Sequence, residues 1–240
     1  MNVCFTVDME QDCPPFLSTF RGIDEGTPPL LRLLREENVR GTFFVTGDVA
    51  RRFPAVVREI AADGHEVGCH GDTHRRFDMM PLDDARQEIA ASTATLRGFY
   101  PVRSFRAPNL QFPNAYLPLL EAEGYQLDSS QGKHKRAYWL GPRASTRLKR
   151  VPASTTSSVL RLPRAVRFAI FAALADPVVL FVHPWEFADF RNSKLRLDCR
   201  FRTGQMALDC LRENLRFFAR RGARFIPMNE LEPIPQAVNR

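Results

Sequence analysis

The sequence predicts an α/β fold in which helices cover a mostly parallel sheet. Short apolar runs alternate with helix-length amphipathic segments about seven or eight times along the 240 residues. Polar residues that could carry chemistry follow almost every predicted strand, and the carboxyl ends of parallel strands meet at one edge of a sheet. The alternation by itself is compatible with an open sheet and with a barrel.

The first half of the chain supplies three predicted strands and three predicted helices. Residues 3–7 form an apolar run that ends at Asp8, and residues 42–45 combine β-branched and aromatic side chains. Leucines at helical spacing predict a helix over 25–37, whose first turn tolerates two prolines. The remaining elements are helices at 54–62 and 81–97, the second with an acidic first turn that suits the helix dipole, and a short strand at 65–69.

The second half continues the same alternation. Residues 178–183 form its most apolar predicted strand, and the predicted helix at 165–175 could cover the sheet or dock at a membrane surface, with the first interpretation favoured. Further elements are strands at 102–105, 126–127 and 224–227 and helices at 114–123 and 205–220. No internal repeat or linker interrupts the pattern, so one domain is expected over residues 1–240.

Composition predicts an ordinary globular protein, with 44% hydrophobic and 25% charged residues. The first residues lack a basic segment followed by a long apolar run, and no stretch reaches the roughly 20 apolar residues of a membrane-spanning helix, so a cytoplasmic location is expected. The five cysteines contain no Cys-x-x-Cys pair, which favours reduced thiols over a disulfide framework. Cys13 and Cys69 lie close in sequence to candidate site residues, but inert thiols are expected there.

The net charge of +7 is concentrated in residues 133–167, which contain no Asp or Glu. Such a basic segment could bind phosphates, anionic glycans or the inner face of a membrane, or it could be a solvated loop with a basic bias. No nucleic-acid-binding motif accompanies the charge, so no nucleic-acid partner is expected. The basic residues are Lys133, Lys135, Arg136, Arg143, Arg147, Lys149, Arg150, Arg161, Arg164 and Arg167.

Three of the five histidines fall within ten residues of each other, at His65, His70 and His74. The rings of His70 and His74, four positions apart, can face one side of a helical turn or tight loop and share a divalent ion. His65 lies in a Gly-His-Glu turn at the start of a strand and is expected to be structural. His134 lies in the basic segment and is given no role.

Several short motifs follow one another in a fixed order: Thr6-Val7-Asp8-Met9-Glu10, Thr42-Phe43-Phe44-Val45-Thr46-Gly47, Gly64-His65-Glu66-Val67-Gly68, His70-Gly71-Asp72-Thr73-His74, Phe105-Arg106-Ala107-Pro108-Asn109 and His183-Pro184-Trp185-Glu186. Together they resemble the polysaccharide deacetylase family, which is defined by NodB homology, over residues 1 to about 230. The stretches 20–28 and 225–231 also resemble the undecaprenyl-phosphate formamidoarabinose deformylase branch of that family.

The resemblance implies a distorted (β/α) barrel with seven or eight mostly parallel strands and a divalent metal held by two histidines and a carboxylate. His70 and His74 match the histidine ligands. The family's first motif has two adjacent aspartates, whereas Met9 follows Asp8 here. Glu10 faces the same side of an extended strand as Asp8, so Glu10 is expected as the third ligand, with Asp12 in reserve. Zinc is expected first, with cobalt, nickel and manganese as alternatives.

The resemblance also implies catalytic roles that suit amide hydrolysis. Asp8 would take a proton from water activated by the metal, and Arg106 would orient Asp8. His183, after an apolar strand, would give a proton to the departing nitrogen. Asp128 would hold His183 in the required tautomer, although a structural role is equally open to Asp128. A backbone N–H near Asn109 could contribute to an oxyanion hole.

The leading functional hypothesis is therefore a metal-dependent hydrolase that removes an N-acetyl or N-formyl group from an amino sugar. With a cytoplasmic location, the expected substrate is a glycan precursor or a lipid-linked sugar. One alternative is a metal-free cyclic amide hydrolase of the allantoinase type, which the pair His70 and His74 disfavours. The other is a non-catalytic barrel that binds carbohydrate or glycolipid, which the missing second aspartate leaves open.

Overall fold

Eight strands form one sheet in the computed structural model, which describes residues 1–231 of the chain. The strand order is β6-β5-β4-β3-β2-β1-β7, β8 pairs with the start of β1, and every pairing is parallel. The predicted α/β class is confirmed. The strands are β1 Asn2–Met9, β2 Thr42–Val45, β3 Glu66–Cys69, β4 Ser104–Phe105, β5 Leu127–Asp128, β6 Lys149–Arg150, β7 Val178–Val182 and β8 Arg224–Phe225.

Helices follow most strands and lie outside the sheet. Each predicted helix is present, with some ends shifted by a few residues, and a short π-helix, Gly22–Gly26, precedes the first α-helix. The α-helices are α1 Thr27–Glu36, α2 Gly47–Arg52, α3 Pro54–Ala62, α4 Leu82–Arg97, α5 Leu117–Ala122, α6 Arg136–Leu140, α7 Arg164–Ala172, α8 Leu197–Arg200 and α9 Gln205–Ala219. Three of them, α2, α6 and α8, were not predicted, because runs of four to six residues show too little periodicity.

The two edge strands of the sheet, β6 and β7, are joined by irregular chain, which closes the sheet into a distorted barrel. The N–H of Ser154 donates to the carbonyl of Val179 at 2.8 Å, and its Oγ accepts from the N–H of Val179 at 2.9 Å. On the other side, Ala153 forms a parallel bridge with Gly132. The predicted distorted barrel is therefore confirmed, with a seam at 153–154 in place of a strand pair.

Alternate residues of β1 face different layers of the molecule. Every second residue from Val3 to Met9 belongs to the main apolar cluster, which also contains residues of the surrounding helices. Cys4 belongs to a second buried cluster inside the barrel, and Thr6 and Asp8 point to that same inner side. Burial of one large aliphatic side chain contributes roughly 1.5–3 kcal/mol to stability. Met9 therefore stabilises the packing of β1 against the helices, whereas burial of an aspartate at the same position would cost free energy.

A buried carboxylate closes the amino end of the barrel. Glu66 on β3 accepts hydrogen bonds from Thr42 Oγ1 at 2.7 Å, from Ser104 Oγ at 2.5 Å and from the N–H of Asn229 at 3.0 Å. Burial raises the pKa of Glu66 above its ordinary value. The neighbouring His65 accepts a hydrogen bond from the N–H of Gly41 at 3.1 Å, which is the structural role expected for it.

The predicted helix at 165–175 corresponds to α7, which packs against α9. Phe168 lies 4.4 Å from Phe217, measured between ring centroids, and Phe171 lies 5.1 Å from Phe218. Arg167 is buried, and its Nε donates to Asn214 Oδ1 at 2.7 Å. These contacts support the interpretation of α7 as a covering helix. Within residues 1–231 no helix combines the length and apolar character needed to cross a bilayer.

Candidate active site

Glu10, His70 and His74 come together at the carboxyl ends of β1 and β3. The Oε2 atom of Glu10 lies 2.6 Å from Nε2 of His74 and 3.2 Å from Nε2 of His70. The three potential ligand atoms all lie within 4.8 Å of one another, and the side chains are at most 8% exposed. The structure thus brings together the three residues that the sequence analysis proposes as metal ligands.

The hydrogen bonding of His70 suits a metal ligand. Its Nδ1 lies 2.7 Å from the carbonyl oxygen of Arg106, which can only accept, so Nδ1 carries the proton and the lone pair of Nε2 faces Glu10. Burial opposes ionisation of Glu10, but His74 and His183 hold the pKa of this carboxyl well below its usual range. Two imidazole nitrogens that converge on one carboxylate in this way fit a shared cation, and zinc binds such N and O donors.

The two histidines are held by a loop that follows β3, not by a helix. His74 adopts a left-handed backbone conformation, with a φ of 61°. Glu88 of α4 is buried beneath the loop, and its Oε1 accepts from the N–H groups of Asp72 and Thr73 at 3.1 and 2.6 Å and from Thr73 Oγ1 at 2.8 Å. Glu88 therefore fixes the chain between the histidines, a role that its position on an amphipathic helix did not indicate.

Arg106 orients Asp8, as expected from the sequence. The guanidinium is completely buried, and its Nη1 donates to Asp8 Oδ1 and to Thr6 Oγ1, both at 2.7 Å. Nη2 donates to Ser129 Oγ at 2.9 Å, and the cation lies 4.3 Å from the centre of the Phe44 ring. The bond from Arg106 orients the carboxylate of Asp8, which lines the cavity described below.

Asp12 lies outside the histidine cluster and has a structural role. Its carboxylate accepts from Thr19 Oγ1 at 2.7 Å and from the N–H groups of Arg21 and Gly22, each at 2.8 Å. These bonds attach the loop after β1 to the start of the π-helix. Among residues 1–231, Glu10 is therefore the carboxylate that joins the two histidines, and Asp12 as a reserve ligand is not supported.

The predicted contact between Asp128 and His183 is wrong. Asp128 Oδ2 lies 2.9 Å from Nε of Arg150, and Oδ1 accepts from the N–H of Ser130 at 3.0 Å. The reason is the strand order, because Asp128 ends β5 and is aligned with Arg150 of β6, whereas His183 follows β7, and β6 and the seam at 153–154 lie between β5 and β7. Asp128 is thus a structural residue that joins two neighbouring strands.

Glu186 takes the place that the sequence analysis gave to Asp128. Its Oε1 lies 2.9 Å from Nδ1 of His183 and accepts from the backbone N–H of His183 at 3.0 Å. Its Oε2 forms a buried ion pair with Nε of Arg161 at 2.8 Å. Burial lowers the pKa of His183, but the charges of Glu10 and Glu186 outweigh it and raise that pKa to about 9. Arg161 could not be found from the sequence, since nothing marks it among the other residues of the basic segment.

Asp8, Glu10, His70, His74 and His183 line one cavity of about 340 Å³. Trp185 forms part of its wall and stacks on His183, with 4.9 Å between ring centroids and 17° between planes. Asn109, near which the sequence analysis expects an oxyanion donor, lines the cavity, and His134, to which no role was given, also lines it. A second cavity of about 450 Å³ shares Leu110 and Lys135 with the first, so the two are neighbours.

Comparison with known proteins supports the resemblance seen in the sequence. The sequence model of the polysaccharide deacetylase family matches residues 8–127, which is half of the chain. A peptidoglycan-N-acetylglucosamine deacetylase of Bacillus cereus is 38% identical over 65 residues, which cover 27% of this chain and 24% of that protein. A chitooligosaccharide deacetylase of Sinorhizobium fredii is 33% identical over 99 residues, which cover 38% of this chain and 46% of that protein. The chain thus matches less than half the length of each of these two relatives.

Solved structures share the fold over nearly the whole chain. A polysaccharide deacetylase homologue from Mycobacterium smegmatis superposes with a TM-score of 0.69 at 22% identity, covering 95% of this chain and 87% of that one. At this level of identity the similarity demonstrates the fold alone. The chemistry must therefore be argued from the side chains around the cavity.

Proposed function

The chain belongs to the polysaccharide deacetylase family, and we propose that it is a metal-dependent hydrolase that removes an N-acetyl or N-formyl group from an amino sugar. The main supporting observation is the convergence of Glu10, His70 and His74 beside Asp8 and His183 around one cavity. A metal site, a base held by an arginine and an acid held by a carboxylate together make up the machinery of amide hydrolysis.

The residues divide the proton transfers between two sides of the cavity. Arg106 engages Oδ1 of Asp8, so Oδ2 is the atom that accepts a proton from the attacking water. Glu186 engages Nδ1 of His183, so Nε2 is the atom that gives a proton to the departing nitrogen. Glu10, His70 and His74 would hold a divalent ion, which would supply Lewis-acid activation of the water and of the amide oxygen.

The proposed substrate carries its amino sugar on a larger molecule, such as a glycan precursor or a lipid-linked sugar. The neighbouring cavity supports this proposal, because it offers room beyond the proposed reaction centre and is lined by Phe112, Tyr138 and Asn114, which suit contacts with sugar rings and hydroxyls. The cavities have the size usual for small-molecule sites, and their shared residue Lys135 places a cationic side chain between them.

We further propose that the protein works in the cytoplasm and contacts the inner face of the membrane through residues 133–167. Trp139 and Leu140 of α6 lie in this segment and are 69% and 73% exposed, which would suit an interfacial contact beside basic residues. Flotation with liposomes tests this contact. Binding to vesicles that contain anionic lipid, weakened in a Trp139→Ala variant, is expected, and failure to float with any vesicle would reject the membrane contact.

The hydrolase proposal is tested by amide cleavage with defined metals. Metal-stripped protein reconstituted with zinc, cobalt, nickel or manganese is incubated with N-acetylated and N-formylated amino sugars, chitooligosaccharides and lipid-linked sugars, and free amine, acetate and formate are measured. Metal-dependent amine release that is lost in Asp8→Asn is expected. Amine release that persists in the metal-free protein would contradict the metal dependence, and opening of a cyclic amide by that protein would support the metal-free alternative. Binding of glycans without release under any metal would support a non-catalytic barrel.

A further inference from the structure

Two cysteines from distant parts of the sequence meet at one wall of the candidate active-site cavity. Cys13 lies in the loop after β1 and is 2% exposed, whereas Cys199 lies in α8 and is partly exposed. Both line the cavity, and Cys199 packs against the apolar cluster that contains Cys13 and Trp185. Each thiol is also the largest influence on the pKa of the other, as expected of neighbouring sulfurs. Neither thiol has a part in the proposed hydrolysis.

The other three cysteines have different surroundings. Cys4 lies inside the barrel, Cys69 contacts Ser92 Oγ at 3.2 Å, and Cys210 contacts Nη1 of Arg167 at 3.7 Å. Each of them is buried. The pair formed by Cys13 and Cys199 therefore combines mutual contact with an opening onto the cavity.

We propose that Cys13 and Cys199 form a site of oxidative modification, in which a peroxide converts the two thiols into a disulfide across the wall of the cavity. The thiolate of Cys199 attacks the peroxide, the O–O bond breaks, and Cys199 becomes a sulfenic acid while an alcohol or water leaves. The sulfur of Cys13 then displaces the hydroxyl of the sulfenic acid and forms the S–S bond. Overall, two thiols and one peroxide give one disulfide, water, and the alcohol or second water derived from the peroxide.

The surroundings assign different roles to the two thiols. The neighbouring thiol of Cys13 lowers the pKa of Cys199, and Arg196 and Arg161 act in the same direction against burial and Asp198. The neighbouring thiol of Cys199 and burial raise the pKa of Cys13. Cys199 is also the more exposed of the two, so it is the attacking thiol and Cys13 is the resolving thiol.

A disulfide at this position would affect the active site both near Glu10 and near His183. An S–S bond of about 2.05 Å is shorter than any non-bonded contact between two sulfur atoms, so its formation would draw the loop after β1 and α8 together. Cys13 follows Glu10 by three residues, and Trp185, which shares the cluster with Cys13, stacks on His183. Oxidation is therefore expected to lower amide hydrolysis several-fold and reversibly, if the proposed function holds.

The test measures thiol chemistry directly and does not depend on the hydrolase proposal. Wild type and the variants Cys13→Ser, Cys199→Ser and Cys210→Ser are treated with hydrogen peroxide, then analysed by thiol titration and by mass spectrometry of peptides. Wild type and Cys210→Ser are each expected to lose two titratable thiols, to yield a peptide pair joined through positions 13 and 199, and to recover both thiols with dithiothreitol. Cys13→Ser is expected to trap Cys199 as a sulfenic acid that reacts with dimedone.

Two results would overturn the proposal. One is the absence of the 13–199 cross-link in wild type at peroxide doses that oxidise Cys210 or exposed methionines. The other is dimedone labelling of Cys199 in Cys13→Ser that is no faster than labelling of Cys210. Circular dichroism of each variant shows whether it is folded, and Cys210→Ser controls for the loss of a thiol elsewhere, because a hydroxyl can retain the contact with Arg167.

Discussion

Glu186 holds His183 by two atoms at once, since its Oε1 lies 2.9 Å from the ring Nδ1 and 3.0 Å from the backbone nitrogen. The ring is thereby fixed in orientation, and Nε2 is turned towards Glu10, whose Oε1 lies 3.8 Å away. The carboxylate also favours the imidazolium form that a general acid requires.

Replacement of Glu186 by glutamine is expected to lower kcat roughly ten-fold or more, because the amide keeps the hydrogen bonds but not the charge. The acidic groups raise the pKa of His183 to about 9. Activity that requires protonated His183 is lost as pH rises through this pKa, so the basic limb of the kcat profile is expected at lower pH in Glu186→Gln. Glu213→Gln, which alters a Glu–Arg pair distant from the cavity, is the control. An unshifted basic limb would contradict the assignment.

Substitutions of Glu10 and Asp12 are expected to differ in their effects on metal binding. Glu10→Gln is expected to weaken zinc binding at least roughly 100-fold, because it removes the anionic ligand. Asp12→Asn is expected to keep the zinc affinity within a few-fold while lowering the free energy of unfolding by about 1–2 kcal/mol, since hydrogen bonds to the loop weaken. Calorimetric titration of metal-stripped proteins measures the first quantity and urea denaturation the second. Equal losses of affinity in both variants would argue against Glu10 as the specific ligand.

Glu88 is expected to control the metal site without touching the ion. Glu88→Ala leaves the N–H groups of Asp72 and Thr73 without their acceptor, which should loosen the loop between the histidines. Zinc affinity is expected to fall about 10- to 100-fold, as for other residues that support metal ligands. Gln87→Ala, at an exposed position of the same helix, is the matched control and should bind zinc as wild type does.

Glu66 gives a prediction about stability and pH. The pKa of Glu66 is raised in the folded state, so the folded protein still holds a proton that the unfolded chain releases near pH 4.5. The free energy of unfolding therefore falls as pH rises from 4.5 towards the raised pKa. Glu66→Gln removes the buried charge, its oxygen can accept from Thr42 and Asn229, and its amide can donate to Ser104 Oγ. The variant is expected to be more stable than wild type by about 1–2 kcal/mol at pH 8, with the difference vanishing towards pH 4. Denaturation of both proteins at both pH values measures this difference in stability, and a variant less stable than wild type at pH 8 would contradict the prediction.

Gly22 is required for the close packing of the π-helix against the turn after β7. A Cβ atom at this position would lie 2.3 Å from the backbone nitrogen of Trp185 and 2.9 Å from Asp12 Oδ1. Gly22→Ala is therefore expected to lower the free energy of unfolding by about 2–4 kcal/mol, although alanine normally favours helices. Gly98→Ala, where the nearest atom lies 3.3 Å away, should change stability by less than about 1 kcal/mol. Thermal denaturation of both variants decides between these outcomes.

The sequence predicted the strands and longer helices because their patterns are local. β1, α3 and α4 each have an apolar face that repeats with the period of the element. The short strand β6 was missed, since two residues beside an edge of the sheet carry no period. The helix ends that differ from the prediction lie where one type of helix changes into another, as at the π-helix that precedes α1.

The site was predictable where residues lie close in sequence or share a motif. His70, His74 and Glu10 follow from spacing and strand alternation, and Arg106 follows from its motif. Glu88 and Arg161 were missed, because their partners become neighbours only when the sheet has assembled. The error at Asp128 has the same origin, since the carboxyl ends of β5 and β7 lie on the same side of the barrel, but β6 and the seam separate the two strands.

The seam at Ser154 and Val179 has a consequence for the motions of the barrel. A pair of contacts centred on one residue opens at a lower free energy than a ladder of strand pairs such as β1 and β7. The chain that follows the seam, from Thr156 to Ser158, lines the candidate active-site cavity. Local opening of the barrel is therefore expected at the wall beside the cavity, where a transient widening would admit the proposed glycan substrate while β1, which carries Asp8 and is followed by Glu10, stays rigid.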